Sequence, residues 1–258
     1  MPSAYLLVSH GSRDPRPQIA MEELAKLIYQ HQERIAANNF YNSNRLKSRS
    51  SLAYLAKPLV ETACLELSSL PLHQQIVEFS DRALVEGYDR LQVVPLFLLA
   101  GVHVTEDIPQ EVDRATAIVG QKLSIDLRSH LGTHPNLMRL LASQRATNTA
   151  DASILLAHGS RRPGAKVAVE RIAKELGASV AYWAIPPKLA TRVQELVDIG
   201  RQRIAIVPYF LFAGGITDAI ASHVTELSHR FPSAHLQLLE PIGASAELAN
   251  LIMDLFEE

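Results

Sequence analysis

The sequence predicts an α/β protein built from two tandem domains, each a mostly parallel sheet with helices on both faces. Three observations predict it. Short apolar runs alternate with segments of helical periodicity along the 258 residues. The runs are apolar throughout instead of alternating with polar residues, which suits parallel strands covered on both faces. The whole order of elements then occurs a second time, the mark of an internal repeat.

In the first half, residues 5–9, 62–67, 91–98 and 124–128 read as buried strands. Residues 19–35 read as a helix because Met21, Leu24 and Ile28 fall on one face, and 72–86, 107–119 and 135–143 continue the helical series. The second half offers strands at 153–157, 179–183, 203–210 and 235–239, with helices at 165–176, 188–199, 218–230 and 245–256. The polar stretch "SQRATNTADAS" joins the halves, so domains of 1–147 and 148–258 are expected. The anchors of the repeat are explicit. "LLVSHGSRDP" answers "LLAHGSRRP", "VVPLFLLAG" answers "IVPYFLFAG", and "LGTHPNL" answers "IGASAEL". His10 and His158 lie 148 positions apart but Pro95 and Pro208 only 113, so the first half holds 35 extra residues between those anchors. Most fall in 31–58, rich in Asn, Ser and basic residues, which reads as a solvated loop or as a lid presenting Arg45, Lys47 and Arg49 to an acidic ligand.

Composition narrows the function classes. Hydrophobic residues make up 47%, charged residues 20%, and the formal net charge is -2, so no basic footprint for nucleic acid is expected. No apolar run approaches the ~20 residues of a membrane span, and the N-terminus has no signal-peptide pattern. Cys64 is the single cysteine, which excludes an internal disulfide and any cysteine-held cluster. A cytoplasmic protein without a membrane or nucleic-acid partner is expected.

In an open parallel sheet, ligands bind beyond the carboxyl ends of the strands. Strand one delivers His10 there, strand two delivers Glu66 in "ACLEL", and the loop after strand three delivers His103 in "AGVHVTEDIP". Two imidazoles and a carboxylate suit Fe, Co, Ni or Zn and can also move protons. Taken singly, each has a plainer role: a strand cap, an ion-paired carboxylate, an exposed loop histidine. The repeat is an internal control. His158 matches His10, but Ala184 stands opposite Glu66 and Ile216 opposite His103. The duplicate keeps the framework and lacks two of the three convergent groups. A hydrolase using Ser12 with His10 is disfavoured because no nucleophile-elbow glycine pattern surrounds Ser12. No phosphate-loop motif follows a strand either.

"HGSRDP", the carboxylate in "ACLEL", "VVPLFLLAGVHVTEDIP" and "LGTHPNL", in that order, resemble the sirohydrochlorin chelatases of the CbiX/SirB type, a class II chelatase group. The resemblance runs over both halves. It implies two chelatase-like (flavodoxin-like) domains facing each other across a cleft. It implies insertion of a divalent metal into sirohydrochlorin with release of two protons: Fe²⁺ to give sirohaem as the first expectation, Co²⁺ for cobalamin biosynthesis as the alternative, a non-catalytic tetrapyrrole or metal carrier as the second. The family's metal-handling histidines fall on His10 and His103 and its acidic partner on Glu66, while His158 lacks its partners, so one productive site is expected. No tightly bound cofactor is expected; the metal is a substrate. Sirohydrochlorin carries eight carboxylates, for which Gly11, Ser12 and Arg13 at a helix start are candidate contacts. Gly101 and Gly214 are candidates for close backbone approach to a flat ligand. Because the duplication supplies both cleft walls, a monomer or weak dimer is expected.

Overall fold

The computed structural model describes residues 3–44, 58–146, 150–160 and 164–257. The first half contains strands β1 (Ser3–Ser9), β2 (Leu59–Cys64), β3 (Arg90–Pro95) and β4 (Ser124–Leu127), and helices α1 (Pro15–Asn44), α2 (Leu72–Val85), α3 (Ile108–Val119) and α4 (Leu137–Ala146). The second contains β5 (Ala152–Ala157), β6 (Ser179–Tyr182), β7 (Arg203–Pro208) and β8 (His235–Leu238), with α5 (Ala165–Glu175), α6 (Leu189–Asp198), α7 (Gly215–Arg230) and α8 (Ala246–Glu257). All pairings in both sheets are parallel, in the orders β2-β1-β3-β4 and β6-β5-β7-β8. This is the predicted fold class. In each sheet the order reverses between the first and third strands, so a crevice opens at their carboxyl ends.

The apolar runs divide their side chains by the pleat. Leu6 and Val8 of β1 face α2 and α3, packing with Ile76, Phe79, Ile108 and Val112. Ile154 and Leu156 of β5 do the same against Val193, Ile220 and Val224 of α6 and α7. The opposite faces, Leu7 and Leu155, enter one continuous cluster containing Met21, Leu24 and Ile28 of α1, Val169 and Ile172 of α5, and most apolar residues of α8. The two halves therefore share a central core. At ~1.5–3 kcal/mol for each large apolar side chain buried, that core binds the halves together far more strongly than surface pairs do.

Helix α8 lies against α1, β3 and α4, elements of the first half. Phe256 packs on Tyr5 with centroids 4.2 Å apart and ring planes tilted by 45°. The Arg128 guanidinium donates to the Leu255 carbonyl at 3.0 Å and the Phe256 carbonyl at 3.4 Å, placing a cation at the negative end of the helix. The buried His134 ring approaches Asp254 at 3.4 Å.

Several boundaries differ from the expectation: β3 stops at Pro95 and β7 at Pro208, short of 98 and 210, α7 starts at Gly215, and two further departures bear on the site. α1 starts at Pro15 and runs to Asn44, so the first part of the 31–58 segment is helix, not loop. Prolines at the helix start need no N–H partner, and a helix already anchored by Met21, Leu24 and Ile28 extends at little cost even through asparagines. Residues 45–57, with Arg45, Lys47 and Arg49, lie outside the described residues. β2 begins three residues earlier than expected and stops at Cys64, so Glu66 sits just beyond the strand. β2 is an edge strand and only half buried, so Glu61 is accommodated by pairing with Arg82. Among the described residues, no helix is long and apolar enough to cross a membrane.

Ile252 is fully buried on α8. Ile252→Ala is expected to cost about 2–5 kcal/mol in urea unfolding. It should also lower amide protection in β3, an element of the other half.

Candidate active site

His10 follows the last residue of β1, and the chain turns at once through Gly11 at φ +97°. The β1–β2 pairing continues past the strands: Leu65 N–H donates to the Ser9 carbonyl and Glu66 N–H to the His10 carbonyl, both at 2.9 Å. A Cβ on residue 11 would stand 2.0 Å from the Glu66 carbonyl oxygen. Only glycine admits this approach, which brings His10 and Glu66 together.

His103 arrives from β3 through a loop held at several points. The His130 ring lies 2.9 Å from the Phe97 carbonyl, and Gly132 N–H donates to the same oxygen at 2.9 Å. A Cβ on Gly132 would fall 2.1 Å from the Leu98 carbonyl. Thus "LGTHPNL" is the clasp of the loop that carries His103. Tyr209, from the second half, donates its hydroxyl to that Leu98 carbonyl at 3.0 Å, and burial pushes the phenol pKa upward. Residues His103–Asp107 then form a π-helical turn leading into α3. Such turns concentrate at functional sites. Across it the His103 Nδ1–H donates to the Asp107 carboxylate at 2.7 Å, which fixes the tautomer and leaves Nε2 as the free lone pair.

The three expected residues converge. One ligand atom each from His10, Glu66 and His103 lies within 4.8 Å of the others. The two imidazole planes stand at 87° with centroids 4.8 Å apart, and Phe97 packs beside both rings at 6.4 and 6.1 Å. His10 and Glu66 are exposed and His103 is half-buried. Such a set can hold a borderline dication while leaving coordination positions open on the solvent side.

His10 also lines a cavity of about 700 Å³ between the halves, within the usual range for a ligand pocket. Gly11, Ser12 and Leu67 line it from the first half; His158, Phe210, Phe212, Gly214 and Ile216 line it from the second. Of the other expected substrate contacts, Arg13 is exposed and stands outside this lining, as does Gly101, which opens the turn carrying His103. Arg16, also outside this lining, joins Asp14 and Asp218, each at 2.5 Å, and so ties the start of α1 to the first turn of α7.

The repeat keeps the backbone logic and changes the side chains. Ala184 N–H donates to the His158 carbonyl at 2.8 Å, the counterpart of the Glu66–His10 bond, and Gly159 has φ +86°. Asp107, Arg16 and Tyr209 were not singled out from the sequence. The His–Asp spacing of four residues on a helical turn would have signalled Asp107. Arg16 and Asp218 are 202 residues apart, so only the fold pairs them.

A His–Glu–His cluster at the switch point of one parallel sheet, beside a cavity walled by a second copy of the same fold, defines a tandem α/β protein in which one half, among the described residues, brings three possible metal-ligating side chains together. The chain belongs to the CbiX family, whose sequence profile matches residues 4–148 and 152–258. A sirohydrochlorin ferrochelatase of Bacillus subtilis (strain 168) is 26% identical over 274 residues, covering 100% of this chain and 92% of the relative. A sirohydrochlorin cobaltochelatase of Priestia megaterium is 22% identical over 271 residues, covering 99% and 79%. The fold is shared with SirB from Bacillus subtilis with Fe³⁺, at a TM-score of 0.72 and 24% identity, over 100% of this chain and 95% of that one.

Hydrogen bonds from the Arg16 side chain, then from its backbone N–H, hold the Asp14 carboxyl at a pKa of about 2, down from 3.8. Stability from this ionised group is complete above the usual carboxylate pKa and is lost as pH falls through about 2. A ¹³C titration of Asp14 should show that midpoint, and Arg16→Ala, which removes the side-chain bonds and keeps the backbone N–H, should raise it part of the way towards the ordinary range.

Proposed function

We propose that this protein is a sirohydrochlorin chelatase that inserts Fe²⁺ to form sirohaem, with Co²⁺ as the alternative ion. The observation that carries this reading is the convergence of His10, Glu66 and His103 within 4.8 Å at the edge of the interdomain cavity, in a CbiX-family chain. The relatives carry both metal names, and both ions favour imidazole and carboxylate ligands.

The chemistry follows from these groups. The neutral imidazoles of His10 and His103, with the Glu66 carboxylate, take a dication from water and hold it with net charge +1. Three protein ligands leave room for an incoming pyrrole nitrogen. The macrocycle must lose two protons to become the dianion that captures the ion, and Glu66 or an imidazole accepts them for delivery to water. A looser site loses the ion, and a tighter one retains it. Asp107 acts through His103, keeping its Nδ1 protonated and its ring aimed. His158 stands in the cavity wall without ligand partners and serves binding, not metal transfer. One chain supplies both cavity walls, so a monomer suffices, acting in the cytoplasm.

The test is anaerobic absorbance of sirohydrochlorin with purified protein and Fe²⁺ or Co²⁺ offered separately. Acceleration over the protein-free control is expected, and the ratio of the two rates reports metal preference. Spectral shifts without acceleration for either ion would replace the enzyme reading with a carrier. His10→Ala and His103→Ala should each abolish turnover while the circular dichroism spectrum is retained, and His158→Ala should have a far smaller effect. Asp107→Ala is expected to weaken Co²⁺ affinity about 10–100-fold in a spectroscopic titration, without changing the unfolding midpoint appreciably.

A further inference from the structure

Leu67 combines two unfavourable features. It is the sole non-glycine residue with positive φ among the described residues, at +59°, and it is 59% exposed. A left-handed backbone is costly for any residue with a Cβ, and an exposed leucine gains nothing from burial. Glycine would remove the first cost, and a polar residue would remove the second. Strain retained beside a site points to a role for the strained side chain. Leu67 directly follows Glu66, and it lines the cavity.

The second half offers a counterpart. Ile216, in the first turn of α7, is 44% exposed and lines the same cavity. It occupies the repeat position of His103. The other exposed large apolar residues, such as Val85, Ile118 and Ile199, are not among those lining the cavity. Two exposed aliphatic residues thus line one cavity from the two halves, and His10 lines that cavity too.

We propose that Leu67 and Ile216 are the apolar contacts for the face of the flat macrocycle, setting its position relative to His10, Glu66 and His103. The inference rests on the chelatase reading and adds residues that touch the tetrapyrrole without touching the metal. It also gives the second half a chemical role: where the first half presents an imidazole, the second presents a hydrocarbon surface. An aliphatic contact suits the conjugated ring, and the acidic periphery of the ligand is left to water and the polar rim.

The experiment measures fluorescence quenching of metal-free sirohydrochlorin by the full chain, with steady-state kinetics and Co²⁺ affinity alongside. Leu67→Gly keeps the backbone conformation accessible while deleting the side chain, so folding stability should hold or rise. The dissociation constant and KM for the tetrapyrrole should rise about tenfold, the factor given by losing 1.4 kcal/mol of contact. Co²⁺ affinity should stay within about twofold, because Glu66 is undisturbed. Ile216→Ser should act in the same direction, and Leu67→Met and Ile216→Val should restore most of the affinity. Wild-type binding with unchanged affinity in Leu67→Gly and Ile216→Ser would overturn this inference alone. A wild-type chain that binds no sirohydrochlorin would overturn it together with the chelatase reading.

Discussion

The hydrogen bond from Glu66 N–H to the His10 carbonyl is the constraint on which the site depends. It extends the β1–β2 pairing past the last strand residues, and it forms because Gly11 carries no Cβ where the Glu66 carbonyl passes. Two of the three convergent side chains are thereby fixed by backbone geometry, before either makes a side-chain contact with the other. The third needs more support. The loop from β3 is held by His130 and Gly132 of its own half and by Tyr209 of the other, and the ring is then aimed by Asp107. Strand ends supply precision cheaply, whereas a loop needs several clasps.

The duplicated half separates what the fold requires from what the site requires. Gly159 and the Ala184–His158 bond preserve the turn at the end of β5, so the glycine of "HGSR" occurs twice for backbone reasons. Glu66 and His103 have no counterparts because sheet geometry does not call for them. The second half instead supplies Phe210, Phe212 and Ile216 to the cavity and Asp218 to the ion pair with Arg16. Divergence between the copies turned two similar crevices into one cavity with unlike walls.

Much of this was legible in the sequence, and for definite reasons. Central strands such as β3 and β7 are buried on both faces, so their apolar runs stand out, and the repeat confirms their order. His10 and Glu66 could be found because each sits within two residues of a strand end, and His103 because it lies in the loop that follows β3. Edge strand β2 was misplaced because half-burial dilutes its pattern. The extension of α1 to Asn44 was missed because a helix anchored by packing overrides local composition. Arg16–Asp218 and Tyr209–Leu98 left no local trace, since their partners are joined only by the meeting of the two halves.

The position of α8 bears on how the chain is made. The first half emerges from the ribosome with strands, turn glycine and all three convergent residues in hand, yet the helix packed against α1 and β3 is drawn from residues 246–257. During elongation Leu7, Met21 and Ile28 lack part of their cover, leaving an apolar surface exposed until synthesis has passed the second half. The sequence-distant closure means that the first half cannot bury this face by itself, so its core is completed only when residues 246–257 are present.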